Sequence, residues 1–195
     1  MGATIILFTI ALIVLVGAAL AYASRGNPSA INVQGARVYS AVLLKQSADY
    51  RDAYSRYLFD GRSAAAMTFN TDKTSALDLF ASATQYGTYQ APPPQALTTG
   101  ATQSWAYNAS MLVNGIGTAT GRESVAYVSR LTPETCGEIN NQLYGSAVIP
   151  VATTAAEANL SVAATVFDDA STGRATGCFQ TSDGKNVFYT TLAES

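Results

Sequence analysis

The chain has 195 residues, of which 48% are apolar, so it is long enough to form one domain with a buried core. Charged residues make up only 12% of the chain and the net charge is −2, without a cluster of lysine or arginine, which argues against nucleic-acid binding. Histidine is absent, which removes the commonest general base and the commonest zinc ligand. The composition therefore favours a non-enzymatic protein, and the sequence predicts no catalytic residue, metal ligand or cofactor site.

The N-terminal segment is uniformly apolar. Residues 3–23 carry no charged side chain and, at about 1.5 Å per helical residue, match the roughly 30 Å hydrocarbon core of a bilayer. We therefore expect residues 1–25 to form a hydrophobic helix that can cross a membrane. A cleaved secretory signal is the alternative, because Ala21-Tyr22-Ala23 imitates a cleavage site, but the basic region of such a signal is missing.

The segment Gly26-Asn27-Pro28 predicts a break in this helix. Glycine interrupts a helix, asparagine caps one, and proline suits the first turn of the next. The helical pattern then resumes, so residues 26–60 are expected to form an amphipathic continuation.

Two apolar stripes follow this continuation at helical spacing. One stripe consists of Ile31, Val38 and Val42, and the neighbouring stripe of Tyr39, Leu43, Tyr50, Tyr54, Tyr57 and Leu58. The polar face is expected to be solvated, with an i,i+4 ion pair between Asp52 and Arg56. Its members are Arg37, Lys45, Asp49, Arg51, Asp52 and Arg56.

Residues 61–195 are predicted to form a β-rich globular head, because short segments of β-forming residues alternate there with turn signals. A loop at residues 181–185 contains Asp-Gly and is expected to close a hairpin between the last two strands. The predicted strands are residues 66–70, 104–113, 124–131, 147–152, 161–167, 174–180 and 186–192. The fold class is thus α+β, with a long N-terminal α-helix, broken near Gly26-Pro28, and a C-terminal antiparallel β-sheet head.

Two further segments of the head have local signals. Thr132 followed by Pro133 predicts a capped helix over residues 133–143. Residues 71–102 have no regular pattern and contain three consecutive prolines. This long segment is expected either to cover the sheet or to pack against a neighbouring subunit.

Some patterns that resemble binding sites have simpler structural interpretations. The adjacent acids Asp168 and Asp169 precede Ala-Ser-Thr-Gly, which favours a turn over a metal site. Gly115, Gly117 and Gly121 lack the helix start with Lys-Ser or Lys-Thr that a phosphate-binding loop needs, so they predict a flexible hairpin end.

Aromatic residues and two asparagines complete the candidates. Aromatic side chains in strands pack in cores more often than they line binding surfaces, and the residues concerned are Tyr86, Tyr89, Trp105 and Tyr107. Asn108-Ala-Ser110 and Asn159-Leu-Ser161 fit the N-glycosylation pattern, which also arises by chance.

Cys136 and Cys178 are the two cysteines, and their spacing is not that of a metal-binding pair. In an exported domain we expect them to form one disulfide. In a cytosolic domain we expect two unrelated buried thiols.

The whole layout resembles a type IV pilin or pseudopilin. It shares an apolar N-terminal helix, a Gly/Pro break, an amphipathic continuation, and a β-rich head with two C-terminal cysteines. The resemblance implies a Cys136–Cys178 disulfide and a structural subunit that polymerises with copies of itself. Ile5 departs from most bacterial members, which carry a glutamate there, and is typical of some minor or archaeal members.

The resemblance also implies a location and a mode of assembly. The subunit would be stored in the inner membrane and then built by the pilus assembly machinery into an extracellular filament on the cell surface. Small residues in the apolar helix would allow close helix packing. The residues expected to pack in the filament core are Ile5, Phe8, Leu12, Leu15, Gly17, Ala18 and Leu20. The alternative function is a single-span, membrane-anchored periplasmic or extracellular binding domain that does not polymerise.

Overall fold

The computed structural model describes residues 28–69, 77–80, 86–117, 122–162, 166–167 and 173–193. The chain divides into two compact units, Met1–Gly35 and Ala36–Ser195. The predicted apolar helix of residues 1–25 and all seven predicted filament-core residues lie outside the described ranges. Within those ranges, no helix combines the length and the apolar character that crossing a membrane requires.

Helix α1 extends over Pro28–Phe59 and covers the predicted amphipathic continuation. It begins at a proline, whose fixed φ and missing N–H suit the first helical turn. It ends where Gly61 adopts a left-handed φ of 75° and donates its N–H to the carbonyl of Leu58 over 2.9 Å. Gly26 and Asn27 lie outside the described residues, so the predicted break before Pro28 stays a prediction.

Among the described residues, the sheet has five strands in the order β3-β1-β2-β5-β4. The pairs β1–β2, β2–β5 and β4–β5 are antiparallel, and β3 pairs with β1 in parallel. The predicted α+β class is confirmed. The parallel strand β3 departs from the purely antiparallel sheet that was expected. The strands are β1 Ala106–Val113, β2 Glu123–Leu131, β3 Val166–Phe167, β4 Thr176–Gln180 and β5 Asn186–Ala193.

Three predicted strands are wrong in whole or in part. In the segment at 66–70, Ala66 is the last residue of a 3₁₀ helix over Ala64–Ala66, and the described residues 67–69 contribute a single bridge, between Thr68 and Asp78. The segment at 147–152 also forms one bridge, because Pro150 has no N–H to extend a ladder. In the segment at 161–167, Val166–Phe167 form a strand, Ser161 and Val162 do not, and residues 163–165 lie outside the described ranges.

The sheet is buried on both faces, which explains why almost every residue of β5 is buried. Phe188 contributes to the core beneath α1, whereas its neighbours Val187 and Tyr189 pack on the opposite face. Leu160, from the irregular segment after Val151, helps to cover that second face and is only 1% exposed. Alternate residues of one strand therefore serve two hydrophobic clusters.

Only one of the two apolar stripes on α1 faces the core. Leu43, Tyr50, Ala53, Tyr54 and Tyr57 are all at most 1% exposed. In the other predicted stripe, Val38 is 60% and Val42 37% exposed, and the side chain of Ile31 lies outside the description. Both stripes have helical spacing, and the packing of the head decides which of them is buried.

Candidate functional site

Helix α2, Pro133–Tyr144, begins at the N-terminal signal that the sequence predicts. Thr132 is extended at the N-cap, and its hydroxyl oxygen accepts the N–H of Thr135 over 3.3 Å. At the other end, Gly145 adopts a left-handed φ of 69° and donates its N–H to the carbonyl of Asn141. The helix extends one residue beyond the predicted 133–143.

Three side chains on one face of α2 fasten it to the edge strand β4, and we name them and their partners the α2–β4 latch. Cys136 forms a disulfide with Cys178, which confirms the expected pairing. Asn140 donates Nδ2–H to the carbonyl of Cys178 over 2.8 Å and accepts its N–H at Oδ1 over 2.9 Å. The Tyr144 hydroxyl donates to the carbonyl of Thr176. Because the three side chains are spaced by four residues, they lie on one face of the helix.

The latch covers the β4 edge of the sheet. The Asn140 amide occupies the outward main-chain groups of Cys178 in the manner of a neighbouring strand. Further along β4, Gln180 donates its N–H to the carbonyl of Pro150 over 2.7 Å. The Gln180 carbonyl accepts the N–H of Ala152 over 2.8 Å. An open edge is a template for pairing with other chains, so these contacts block edge-to-edge association.

Helix α2 also contacts α1. Gln142 donates from Nε2 to the Ser40 hydroxyl over 2.6 Å, and Ser40 is fully buried. Nearby, the Arg37 guanidinium lies 3.4 Å from the Glu138 carboxylate. The disulfide-linked region and α1 are thus joined by polar contacts as well as by the core.

The polar face of α1 is only partly as predicted. Lys45 and Asp49 form an i,i+4 ion pair with a 2.6 Å N–O distance. Arg56 donates from Nε to the main-chain carbonyl of Asp52 over 3.3 Å, which replaces the predicted contact with the carboxylate.

Arg51 is not simply solvated, which corrects the prediction for this residue. It donates to the carbonyl of Thr191 over 3.2 Å and to the hydroxyls of Thr176 and Thr190, each over 2.9 Å. An open cavity of about 270 Å³ lies beside it, lined by Arg51, Ala175, Thr191, Leu192 and Ala193. Arg51 is the one ionisable side chain among these five residues, so the cavity brings together no acid–base pair.

The aromatic candidates are packed in the core beneath α1. The Trp105 indole is 3% exposed, donates to Gln46 Oε1 over 3.0 Å, and packs edge-on against Tyr50 with centroids 5.2 Å apart. Tyr86 is 6% exposed, and both Tyr89 and Tyr107 pack against the same cluster.

Within the long segment before β1, residues 86–102 include main-chain groups that bond to α1. Tyr50 donates its hydroxyl to the carbonyl of Gln90 over 2.8 Å and accepts the Gln90 N–H over 2.9 Å. Gln46 donates to the carbonyl of Ala91 over 3.1 Å. Burial raises the pKa of Tyr50, and the Gln90 hydrogen bond only partly opposes that shift. Nothing in the sequence pattern singled out Gln46 or Gln90, because a polar residue on an apolar helix face has many possible partners.

The remaining candidates do not converge on one site. Asp168 and Asp169 lie outside the described residues, so the predicted turn there stays a prediction. Gly115 and Gly117 have left-handed φ values of 81° and 58° in the turn after β1, and Gly121 is not among the described residues. In the part of the chain that is described, no group of three or more Cys, Asp or Glu residues could hold a metal ion.

Comparison of the chain with protein-family models, with curated proteins and with solved structures found no match. Besides the sequence pattern, two features of the described residues bear on function: the α2–β4 latch and the exposed valines of α1.

Proposed function

We propose that the chain is a structural subunit of an extracellular, type IV pilus-like filament and that it polymerises through its apolar N-terminal helix. The observation that carries the proposal is the exposed apolar side of α1. Val38 and Val42 are 60% and 37% exposed and, being four residues apart, lie on one side of the helix. They follow in sequence after an uncharged stretch of 21 residues, 3–23, with residues 24–37 between.

Burial of these valines against other helices would be favourable. A fully buried valine side chain contributes roughly 1.5 kcal/mol or more relative to an exposed one, and a filament repeats that gain in every subunit. Residues 3–23 add a segment that can exchange lipid neighbours for identical helices. A helix with a buried face for its own head and an apolar exposed side suits a subunit that must both fold and assemble.

The closed sheet edge supports the same function. A subunit held at high local concentration beside its copies would risk uncontrolled strand pairing if β4 were open. Asn140 and the segment around Pro150 occupy the outward groups of β4. Association through β4 is thereby blocked, which favours the exposed apolar stripe of α1 as the assembly surface.

The Cys136–Cys178 disulfide supports export, because disulfides persist in oxidising compartments. We propose that the chain is held in the inner membrane before assembly and that a pilus assembly machinery moves it into the surface filament. Its lasting partners are then other copies of the same chain.

The test is electron microscopy and mass spectrometry of material sheared from the producing cells, with Val38→Glu/Val42→Glu as the variant. Both valines are exposed, so we expect the head to stay folded while filaments are lost, because each glutamate places a charge in the helix contact. Ala48→Glu is the matched control, since Ala48 is an exposed position of the same helix, and it should leave filaments intact.

The proposal is overturned if the wild-type chain is found only as a small species that detergent extracts. A membrane-anchored binding domain would then be the better account. Equal filament yields from the double variant and the control would show instead that this side of α1 is not an assembly surface.

A further inference from the structure

The two Asn-x-Ser sequences of the chain lie in opposite environments. Asn108 is in strand β1 and 6% exposed. Its Nδ2 donates both hydrogens, to the carbonyl of Leu160 over 2.9 Å and to that of Val162 over 3.0 Å. Its Oδ1 accepts the N–H of Ser110 over 2.9 Å. Every polar atom of the Asn108 amide is thus engaged, and the nitrogen is buried.

Asn159 is exposed at the end of a short 3₁₀ helix, Glu157–Asn159. Ser161, two residues later, is also exposed, whereas Leu160 between them is 1% exposed. The main chain turns here, since the N–H of Val162 is donated to the carbonyl of Asn159 over 2.9 Å. The buried leucine therefore holds the two residues that define the sequence pattern at the surface.

The two sequences are also linked to each other. Asn108 donates to the main-chain carbonyls on both sides of Ser161, at Leu160 and Val162. The buried asparagine of one pattern thus fixes the loop that presents the asparagine of the other. The structure separates two sites that the sequence leaves equivalent.

We propose that Asn159 is an acceptor site for an N-linked glycan. The donor is an oligosaccharide carried on a polyprenyl diphosphate, the class of substrate that a membrane-bound oligosaccharyltransferase uses. The Asn159 amide nitrogen forms a bond to the anomeric carbon of the sugar and releases one proton to the solvent. The bond between that carbon and the diphosphate oxygen breaks, and the polyprenyl diphosphate leaves. Ser161 supplies the hydroxyl that the transferase recognises.

This inference rests on the export that the proposed function requires, because such transfer occurs on the outer side of a membrane. A glycan suits this surface, since only 12% of the residues are charged and a glycan adds hydration without charge. The disulfide reports export independently of the glycan.

The experiment is mass spectrometry of the full chain from the cells that naturally produce it, digested with trypsin without reduction. Cleavage after Arg130, Arg174 and Lys185 releases peptides 131–174 and 175–185, which the disulfide keeps joined. One species therefore reports both the modification of Asn159 and the oxidation state of the two cysteines. Asn108 falls in the separate peptide 74–122. We expect one glycan mass on the disulfide-linked pair and none on peptide 74–122.

Three variants sharpen the assignment. Ser161→Ala should remove the added mass, Ser161→Thr should retain it, and Ser110→Ala should leave it unchanged as the matched control. An intact disulfide with a bare Asn159 overturns the glycan and leaves the proposed function standing. Free thiols overturn export, and with it both proposals. A glycan on Asn108 overturns the assignment of the site.

Discussion

The side-chain amide of Asn140 forms two hydrogen bonds with the main chain of Cys178, one in each direction, and so pairs with the edge strand as a neighbouring strand would. A second Nδ2 hydrogen is donated to the carbonyl of Val148 over 2.9 Å. Asn140 is fully buried, so no water can replace these bonds when the amide is removed.

Asn140→Ala should therefore lower the free energy of unfolding by about 2–4 kcal/mol, because it leaves buried donors and acceptors without partners. Urea denaturation with the disulfide intact measures the effect. Asn141→Ala is the control, since Asn141 is exposed and its side chain donates to Glu138 over a long 3.4 Å, and its effect should stay within about 0.5 kcal/mol. Similar urea midpoints for the two variants would show that Asn140 does not stabilise the contact between α2 and β4.

The disulfide should contribute separately from Asn140. It closes a loop with a sequence separation of 42, for which restriction of the unfolded chain contributes about 4 kcal/mol. Cys136→Ala/Cys178→Ala should lower the free energy of unfolding by up to that amount, measured by urea denaturation. Treatment of the wild-type chain with a reductant is the second measurement, and a midpoint that neither change moves would contradict the prediction.

Local signals in the sequence predicted the parts of the latch region that depend on neighbouring residues. Thr132 and Pro133 placed the start of α2 correctly, and the hairpin loop at 181–185 joins β4 and β5 as expected. In each case a cap or a turn is set within a few residues, so no distant contact is needed.

Contacts between distant segments could not be predicted in the same way. Both stripes of α1 have helical spacing, and only the assembled head shows that Leu43 is buried and Val38 exposed. The role of Asn140 depends on a strand 38 residues away in sequence. A polar residue on a short helix gives no local sign of such a partner, because solvation would satisfy it equally well.

Arg130 combines a strained backbone conformation with an ion pair. Its variants therefore test the irregular pairing of β2 at this residue. It has a left-handed φ of 62° where the pairing of β2 with β5 shifts register. Its Nε donates to both carboxylate oxygens of Glu157, over 2.8 and 3.0 Å. Such a φ costs a residue with a Cβ roughly 1 kcal/mol more than it costs glycine.

Arg130→Gly should therefore be more stable than Arg130→Ala by about 1 kcal/mol, although both variants lose the ion pair. The exposed pair itself is worth only about 0.2–1 kcal/mol. Urea denaturation of the two variants measures the difference, with Glu157→Gln as the control that removes the pair and keeps the strain. Alanine and glycine variants of equal stability would contradict a strained Arg130.

The same ion pair gives a dependence on acid pH. The hydrogen bond from Arg130 lowers the pKa of the Glu157 carboxyl below its ordinary value of 4.5. The unfolded chain then binds the proton first as pH falls, so the contribution of Glu157 is present above pH 4.5 and is lost below it. We expect wild-type stability to fall more steeply than that of Glu157→Gln between about pH 5 and pH 3, followed by urea midpoints. Parallel curves for the two proteins would show that this carboxyl does not contribute.

Alkaline pH should destabilise the aromatic core. Burial raises the pKa of Tyr50 and of Tyr107 well above the ordinary value of 10.0, so both phenols stay neutral in the folded chain while the unfolded chain ionises. When the pKa of a tyrosine is raised in the folded chain, its contribution to the free energy of unfolding is complete below the pKa of the unfolded chain. That contribution is lost as pH rises through the pKa of the folded chain. The free energy of unfolding should therefore fall above about pH 10, by up to about 1.4 kcal/mol per pH unit for each such tyrosine.

Tyr50→Phe separates this titration from packing. At neutral pH the variant should lose about 1–3 kcal/mol, because the N–H and the carbonyl of Gln90 lose their bonds to the phenol. Above pH 10 its stability should fall less steeply than that of the wild-type chain, because phenylalanine has no proton to release. Urea denaturation at pH 8, 9, 10 and 11 gives both slopes. If the free energy of unfolding of the variant falls as steeply with pH as that of the wild-type chain, the alkaline loss of stability comes from groups other than Tyr50.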